Sequence, residues 1–418
     1  MKKRVKLLYG GAAVAGILMS AWLIPPLQQS LRHLCPVRPN GVSESQAVPS
    51  FAKKYGTSCS QCHSAFPVLN DYGREFKNNG LVRERAQETG AKIDGSDMLI
   101  PQSFPWSGLV KARPYDQSKD KKFKNRALHE LELFIADGSV AKNFSYFMEI
   151  EAEDDSGAGF EFETADPRMG YHLSPYVNIL AGFGDFIHGV DSYQTLDGTH
   201  MTRRASDTQA LLGMDQQFLA LRGEVNKEGL GTFGYALGTG GGNGNGGFMA
   251  QVGAGPSNTN ARVIFDSLRG VALGAFYRTG HDDWSDTTDK ANAVNKIKAS
   301  AVDALVEFKG INLRTALVNT ESTAQATNVK TKQNGSYVEA FYALKKNEMP
   351  WIVPLVRYDL TENKATKRKQ SHFVGNLSYY LAENVRSMLE YYKEVKDETA
   401  GVKGALDNRV TLELAVGF

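Results

Sequence analysis

The chain has 418 residues and a net charge of +2, so it can form two ordinary domains or one large barrel, and its charge gives no case for binding nucleic acid. A mean hydropathy of -0.35 excludes a bundle of membrane helices. It does not exclude a membrane β-barrel, where only alternate residues face lipid. The 41 Gly, the 10% aromatic residues and only 14 Pro suit short strands and tight turns.

Lys2, Lys3, Arg4 and Lys6 precede an apolar stretch from Leu7 to Ile24 that ends at Pro25 and Pro26. Ser45-Gln46-Ala47 then gives a small-x-small cleavage pattern before Val48. Residues 1–47 are therefore predicted to be a signal peptide, an uncleaved single anchor being the alternative for so long a stretch. A lipoprotein signal ending at Cys35 is disfavoured by the bulky and charged Arg32-His33-Leu34. With Cys35 removed, Cys59 and Cys62 remain, and an oxidising compartment would make them a disulfide or a haem anchor.

Cys59-Ser60-Gln61-Cys62-His63 is the C-x-x-C-H spacing of covalent haem attachment. Two thiols one helical turn apart reach both vinyl groups of one porphyrin, and the adjacent His lies under the iron as proximal ligand. A thioredoxin-like pair would need a preceding strand and a βαβ context, and the sequence offers neither. The cofactor expected is one covalent haem c. A helix is expected from Pro67 to the stop at Gly80. Val68, Leu69, Tyr72, Gly73 and Phe76 share its apolar face. Gly73 there suits close approach by the macrocycle or by ordinary helix packing. Arg74 and Lys77 are candidates to pair with haem propionates, or are solvated. Met98 is the only Met between His63 and Trp106, and it is the candidate sixth ligand or simple apolar filler. His129 or an open site are the other possibilities.

From Trp106 onward the polarity alternates with period two. Val410, Leu412, Leu414, Val416 and Phe418 oppose Arg409, Thr411, Glu413, Ala415 and Gly417, and Val302, Ala304 and Val306 oppose Asp303 and Glu307. The fold predicted is all-β: a transmembrane antiparallel barrel of about 16 strands over 106–418, after a small α-helical cytochrome domain over 48–105. Tyr391-Tyr392, Tyr379-Tyr380 and Phe341-Tyr342 suit interfacial girdles, and the terminal Phe418 resembles the assembly signal of outer-membrane barrels. Asp191 to Gln209, Gly238 to Gly247, Gly280 to Asn295 and Thr320 to Asn334 are expected as extracellular loops. Glu149, Glu151, Asp154 and Asp155 could attract a cation or form a solvated lumen wall.

Val48-Pro49-Ser50-Phe51-Ala52, Gly56 and the Cys59–His63 motif resemble the start of the fused monohaem cytochrome–porins of iron-oxidising bacteria. Pro67, Leu69-Asn70, Gly73-Arg74, Phe76-Lys77 and Gly80 continue the likeness. It covers residues 48 to 81 by motif, and the barrel by architecture and length. Tyr55 and Tyr72 stand where Thr and Phe are expected, and Met98 lies outside the shared pattern. The resemblance implies an outer-membrane protein in contact with lipid, taking electrons from ferrous iron and passing them to periplasmic c-type cytochromes. An electron conduit for another donor or acceptor, or a solute porin with haem as a structural plug, are the competing readings.

Overall fold

A computed structural model of the chain describes residues 49–83, 91–92, 94–95, 99–100, 105–118, 124–154, 161–196, 201–203, 206–213, 215–241, 258–267, 270–283, 294–324 and 327–418. The predicted signal peptide, Met98 and Asp155 lie outside the described residues.

Sixteen long strands close into one barrel. In chain order these are β1 (Trp106–Ser118), β2 (Lys124–Ala141), β3 (Phe144–Glu153), β4 (Arg168–Ser174), β5 (Val177–Asp185), β6 (Asp215–Lys227), β7 (Gly231–Gly241) and β8 (Asn258–Ser267). The second half comprises β9 (Val271–Asp283), β10 (Val294–Phe308), β11 (Ile311–Ala324), β12 (Lys330–Tyr342), β13 (Met349–Asn363), β14 (Arg368–Ala382), β15 (Val385–Thr399) and β16 (Asn408–Gly417). Each pairs antiparallel with its chain neighbour, and β16 pairs with β1 to close the ring. Three short segments, Glu161–Ala165, Leu344–Lys346 and Val402–Lys403, lie within hairpins and add no strand to the circuit. Closure leaves no unpaired sheet edge, which a bilayer demands.

Period-two alternation sets the faces. Val302, Leu317, Val338 and Val356 are 50–55% exposed on the outside, while their neighbours Asp303, Val318, Glu339 and Arg357 are at most 8% exposed on the inside. The apolar exterior is the lipid face and the polar interior the lumen wall, as expected for a bacterial outer-membrane barrel. The aromatic pairs are corrected by the same alternation. Tyr391 and Tyr342 point outward, but Tyr392, Tyr380 and Phe341 are buried inside, because adjacent strand residues cannot share a face.

The two ends differ. Short turns such as 142–143, 309–310 and 383–384 sit at one end, where β1 begins and the chain terminates, and the longer connections at the other. Short turns are periplasmic in such barrels and long loops extracellular. Phe418 closes the short-turn end: its backbone N–H donates to the Gly108 carbonyl at 2.9 Å, and its carbonyl accepts from Gly108 N–H at 2.8 Å. Its ring packs edge-on against Trp106, with centroids 6.2 Å apart.

Two connections depart from expectation. Thr320 to Asn334 is mostly strand, since β11 runs to Ala324 and β12 begins at Lys330. The described residues of the stretch Asp191 to Gln209, expected outside the cell, fold back into the lumen with the helices α4 (Phe186–Val190) and α5 (Asp207–Ala210). Phe186, Ile187, Val190, Leu196 and Leu212 pack on Phe218, Phe276, Val318 and Tyr337 of the inner wall. Polar ties complete the seat. Arg262 pairs with Asp303 at 2.5 Å and Asp191 at 3.1 Å, and Tyr337 Oη donates to the Thr195 carbonyl at 2.5 Å. The polar composition of the segment concealed it: its few apolar residues cover apolar wall positions, and its acids meet wall arginines.

Candidate functional site

Residues 49–83 form three short helices, α1 (Pro49–Tyr55), α2 (Cys59–Cys62) and α3 (Asp71–Asn78). They lie across the short-turn mouth, and their partners come from all around the ring. Lys54 pairs with Asp137 of β2 at 2.6 Å, Asn78 hydrogen-bonds Arg222 and Glu224 of β6, and Arg74 pairs with Glu307 of β10 at 2.5 Å. The Cys59 N–H donates to Glu383 Oε2 at 2.7 Å, and Tyr380 Oη to the Phe66 carbonyl at 3.1 Å. Residues 45–418 form one compact unit.

The inner loop supports the segment from the lumen side. Lys77 Nζ donates to the carbonyls of His188 (2.9 Å) and Asp191 (2.7 Å), and Leu69 N–H donates to Gln194 Oε1 at 2.8 Å. The Arg74 guanidinium lies 5.0 Å from the Tyr193 ring centroid. Both candidate propionate partners are thus directed to the wall and the inner loop.

The motif itself opens on the helix Cys59–Cys62, which brings both thiols onto one turn. His63 leaves that helix in extended conformation (φ -122) and starts a short hairpin, in which residues 63–65 pair with 68–69. Its ring packs edge-on against Phe66, 5.2 Å between centroids. Cys59 is buried and Cys62 half-buried, and both are free thiols. Burial pushes the Cys59 thiol well above its ordinary range, reinforced by the Glu383 charge, and pushes Cys62 up to about 11. Burial lowers His63 to about 4, against the opposing pull of the Pro67 and Val68 backbone. Its Nδ1 is buried with no hydrogen-bond partner. A neutral imidazole with an unclaimed nitrogen, following two thiols on one turn, is a donor set that suits a covalently attached porphyrin.

The helix expected from Pro67 begins instead at Asp71. Asn70 caps it, its side chain accepting from Gly73 N–H at 3.0 Å, while Pro67 turns the preceding hairpin. A side-chain cap and the hairpin pairing outweigh the weaker preference of Pro for a first helical position. The stop at Gly80 stands, with φ 83. Gly73 is approached closely by the Cys62 carbonyl, and a Cβ there would collide with it. Helix packing on the motif turn therefore accounts for this glycine. Phe76 joins this helix to Pro49–Tyr55, edge-on to Phe51 (5.1 Å) and Tyr55 (5.7 Å).

His129 is buried in β2. Arg126 Nη1 is 2.8 Å from its Nδ1 and Glu153 is 2.5 Å from its Nε2, with Arg113 beside the same nitrogen. Among the described residues two groups, His129–Glu130–Glu153 and Glu130–Glu132–Glu151, bring their ligand atoms within 4.8 Å of one another. Lys111 Nζ stands 2.5 Å from both Glu130 and Glu132, and Arg113 pairs with Glu413 at 2.8 Å. These carboxylates thus form an ion-paired lumen wall. The residues that sequence reading missed are Glu383, Tyr380, Arg386, Gln194 and Glu307. They lie far from the motif along the chain and carry no local signature.

No family model and no curated protein matches the chain. Solved structures do. An anion-selective porin from Comamonas acidovorans is 12% identical with a TM-score of 0.51, over 75% of this chain and 98% of that one. OmpF of Salmonella typhi, solved with daunomycin, is 14% identical with a TM-score of 0.51, over 75% and 97%. In-vitro folded OmpT of Vibrio cholerae is 11% identical with a TM-score of 0.50, over 75% and 96%. At such identities the likeness shows the fold. The chain is a sixteen-stranded outer-membrane β-barrel of the porin fold, with its short-turn mouth occupied by the Cys59–His63 segment.

Proposed function

We propose that this outer-membrane barrel carries one covalent haem c on Cys59, Cys62 and His63 and serves as an electron conduit across the membrane. One observation carries the reading: the C-x-x-C-H segment is built into the barrel mouth, tied to Asp137, Glu307 and Glu383 on separate strands or turns. The haem would supply one-electron exchange between ferric and ferrous iron. The residues of the chain would hold it, Cys59 and Cys62 through thioether bonds and His63 through its imidazole. By the resemblance at residues 48–81, extracellular ferrous iron is the donor. It gives up one electron to become ferric, and a periplasmic c-type cytochrome takes that electron onward. The purified protein should show a haem c spectrum and be reduced on stopped-flow mixing with ferrous iron. Absence of haem would sink the conduit, and haem without reduction would sink the iron role.

Met98 is proposed as the sixth ligand on sequence grounds. A thioether ligand raises a haem potential, so Met98→Ala should lower the midpoint and change the visible spectrum. An unchanged spectrum removes Met98 from the site.

The second reading, a solute porin whose haem is a structural plug, is favoured by the likeness to porins in fold. It requires a water path past both the Cys59–His63 segment and the inner loop.

A further inference from the structure

The hairpin of β14 and β15 stands out among the wall elements because it grips the motif at both ends. Its turn carries Glu383, whose Oε2 accepts from Cys59 N–H at 2.7 Å. Tyr380 Oη, 3.1 Å away, and Arg386 Nη1, 3.4 Å away, both donate to the Phe66 carbonyl. Phe66 in turn carries the His63 ring against its own. Ser58 precedes the motif helix without capping it by its side chain, so Glu383 satisfies a donor that would otherwise be orphaned. The hairpin therefore fixes where the motif starts and how its imidazole is oriented.

Glu383 also differs from Glu307 and Asp137 in its charge balance. Glu307 meets Arg74 at 2.5 Å and Asp137 meets Lys54 at 2.6 Å. Glu383 has no cation within salt-bridge distance among the described residues. The neighbouring Arg386 is instead shared between Glu413, at 3.4 Å, and the Phe66 carbonyl. A half-buried, uncompensated carboxylate thus lies against the first residue of the motif.

We infer that Glu383 is a positioning residue for the haem loop whose charge also sets the haem potential, holding it below the value a neutral side chain would give. The inference rests on the haem reading above. Ferric haem carries one more positive charge than ferrous haem at the same place, so a nearby anion stabilises the oxidised form more. Half-exposure screens part of this effect without removing it.

Redox titration of the full-length protein in detergent tests the assignment. Glu383→Gln keeps the acceptor for Cys59 N–H and removes only the charge, so its midpoint should shift positive at unchanged haem content. Glu383→Asp keeps the charge and should stay near wild type, and Glu383→Ala should shift in the same direction as Gln. A haem-loaded E383Q at the wild-type midpoint, or equal shifts in E383Q and E383D, would overturn the role of the charge. A wild-type protein without a haem c spectrum overturns the haem reading and this inference together, so the two failures are distinguishable.

Discussion

Cys59 and Cys62 are placed where burial disfavours the thiolate, and the thiolate is the reactive form. Both thiols lie above their ordinary range, Cys62 at about 11. In haem-free protein, labelling by iodoacetamide at neutral pH should therefore be much slower than for an exposed cysteine. It should accelerate only as pH rises toward that value. Fast labelling at pH 7, read by mass spectrometry, would contradict the buried placement. Arg74 is the other residue whose environment makes a firm prediction. It is 5% exposed and paired with Glu307, whose side chain is 20% exposed, and losing a charged hydrogen bond of this kind costs about 1–3 kcal/mol. Arg74→Ala should make residues 49–83 the first region cut in limited proteolysis while the barrel remains resistant. The motif was legible at this scale, because five consecutive residues carry it. Glu383 and Glu307 were not, since nothing in their own neighbourhoods marks them.

The short helices act through what they rest on. The helix Asp71–Asn78 lies directly on the motif turn, with the Cys62 carbonyl where a Gly73 side chain would be. Gly73→Ala should push the two apart, at a cost of about 1–3 kcal/mol for overpacking, and should lower the haem-to-protein ratio severalfold in the pyridine haemochrome assay. Wild-type haem content in that variant would show that the contact is dispensable. The sequence marked Gly73 as special but left two occupants open, and packing on Cys62 is the one present. It also set the stop at Gly80, where a φ of 83 favours glycine. It misplaced the start, since Pro67 and Asn70 both suit a helix beginning and only pairing with residues 63–65 excludes the first.

Across the whole molecule, two segments share the lumen, and each holds the other. Lys77 bonds the carbonyls of His188 and Asp191, and Gln194 accepts from Leu69 N–H. Met201 of the inner loop packs with Ala65 and Val68 of the motif hairpin against Phe341 and Leu355 of the wall. Proteoliposomes of the protein should therefore swell far more slowly in small sugars than those containing an open porin. Asp191→Ala removes one of the two acids on buried Arg262 and should raise the swelling rate. Swelling at the open-porin rate by the wild-type protein would favour solute passage over electron transfer as the function.

Strand alternation, the aromatic terminus and the Cys59–His63 spacing are local patterns, so the sequence by itself determined a membrane barrel of about sixteen strands and a haem-attachment motif. Covalent chemistry and lipid exposure each act on neighbouring residues, and both leave their mark within a few positions. The destination of the inner loop, the seating of residues 49–83 in the mouth and the clamp from Tyr380 to Arg386 depend on contacts between distant parts of the chain. Cys59 and Glu383 are 324 positions apart. Only the closed barrel, by bringing its short turns around one opening, puts that carboxylate beside the Cys59–His63 motif.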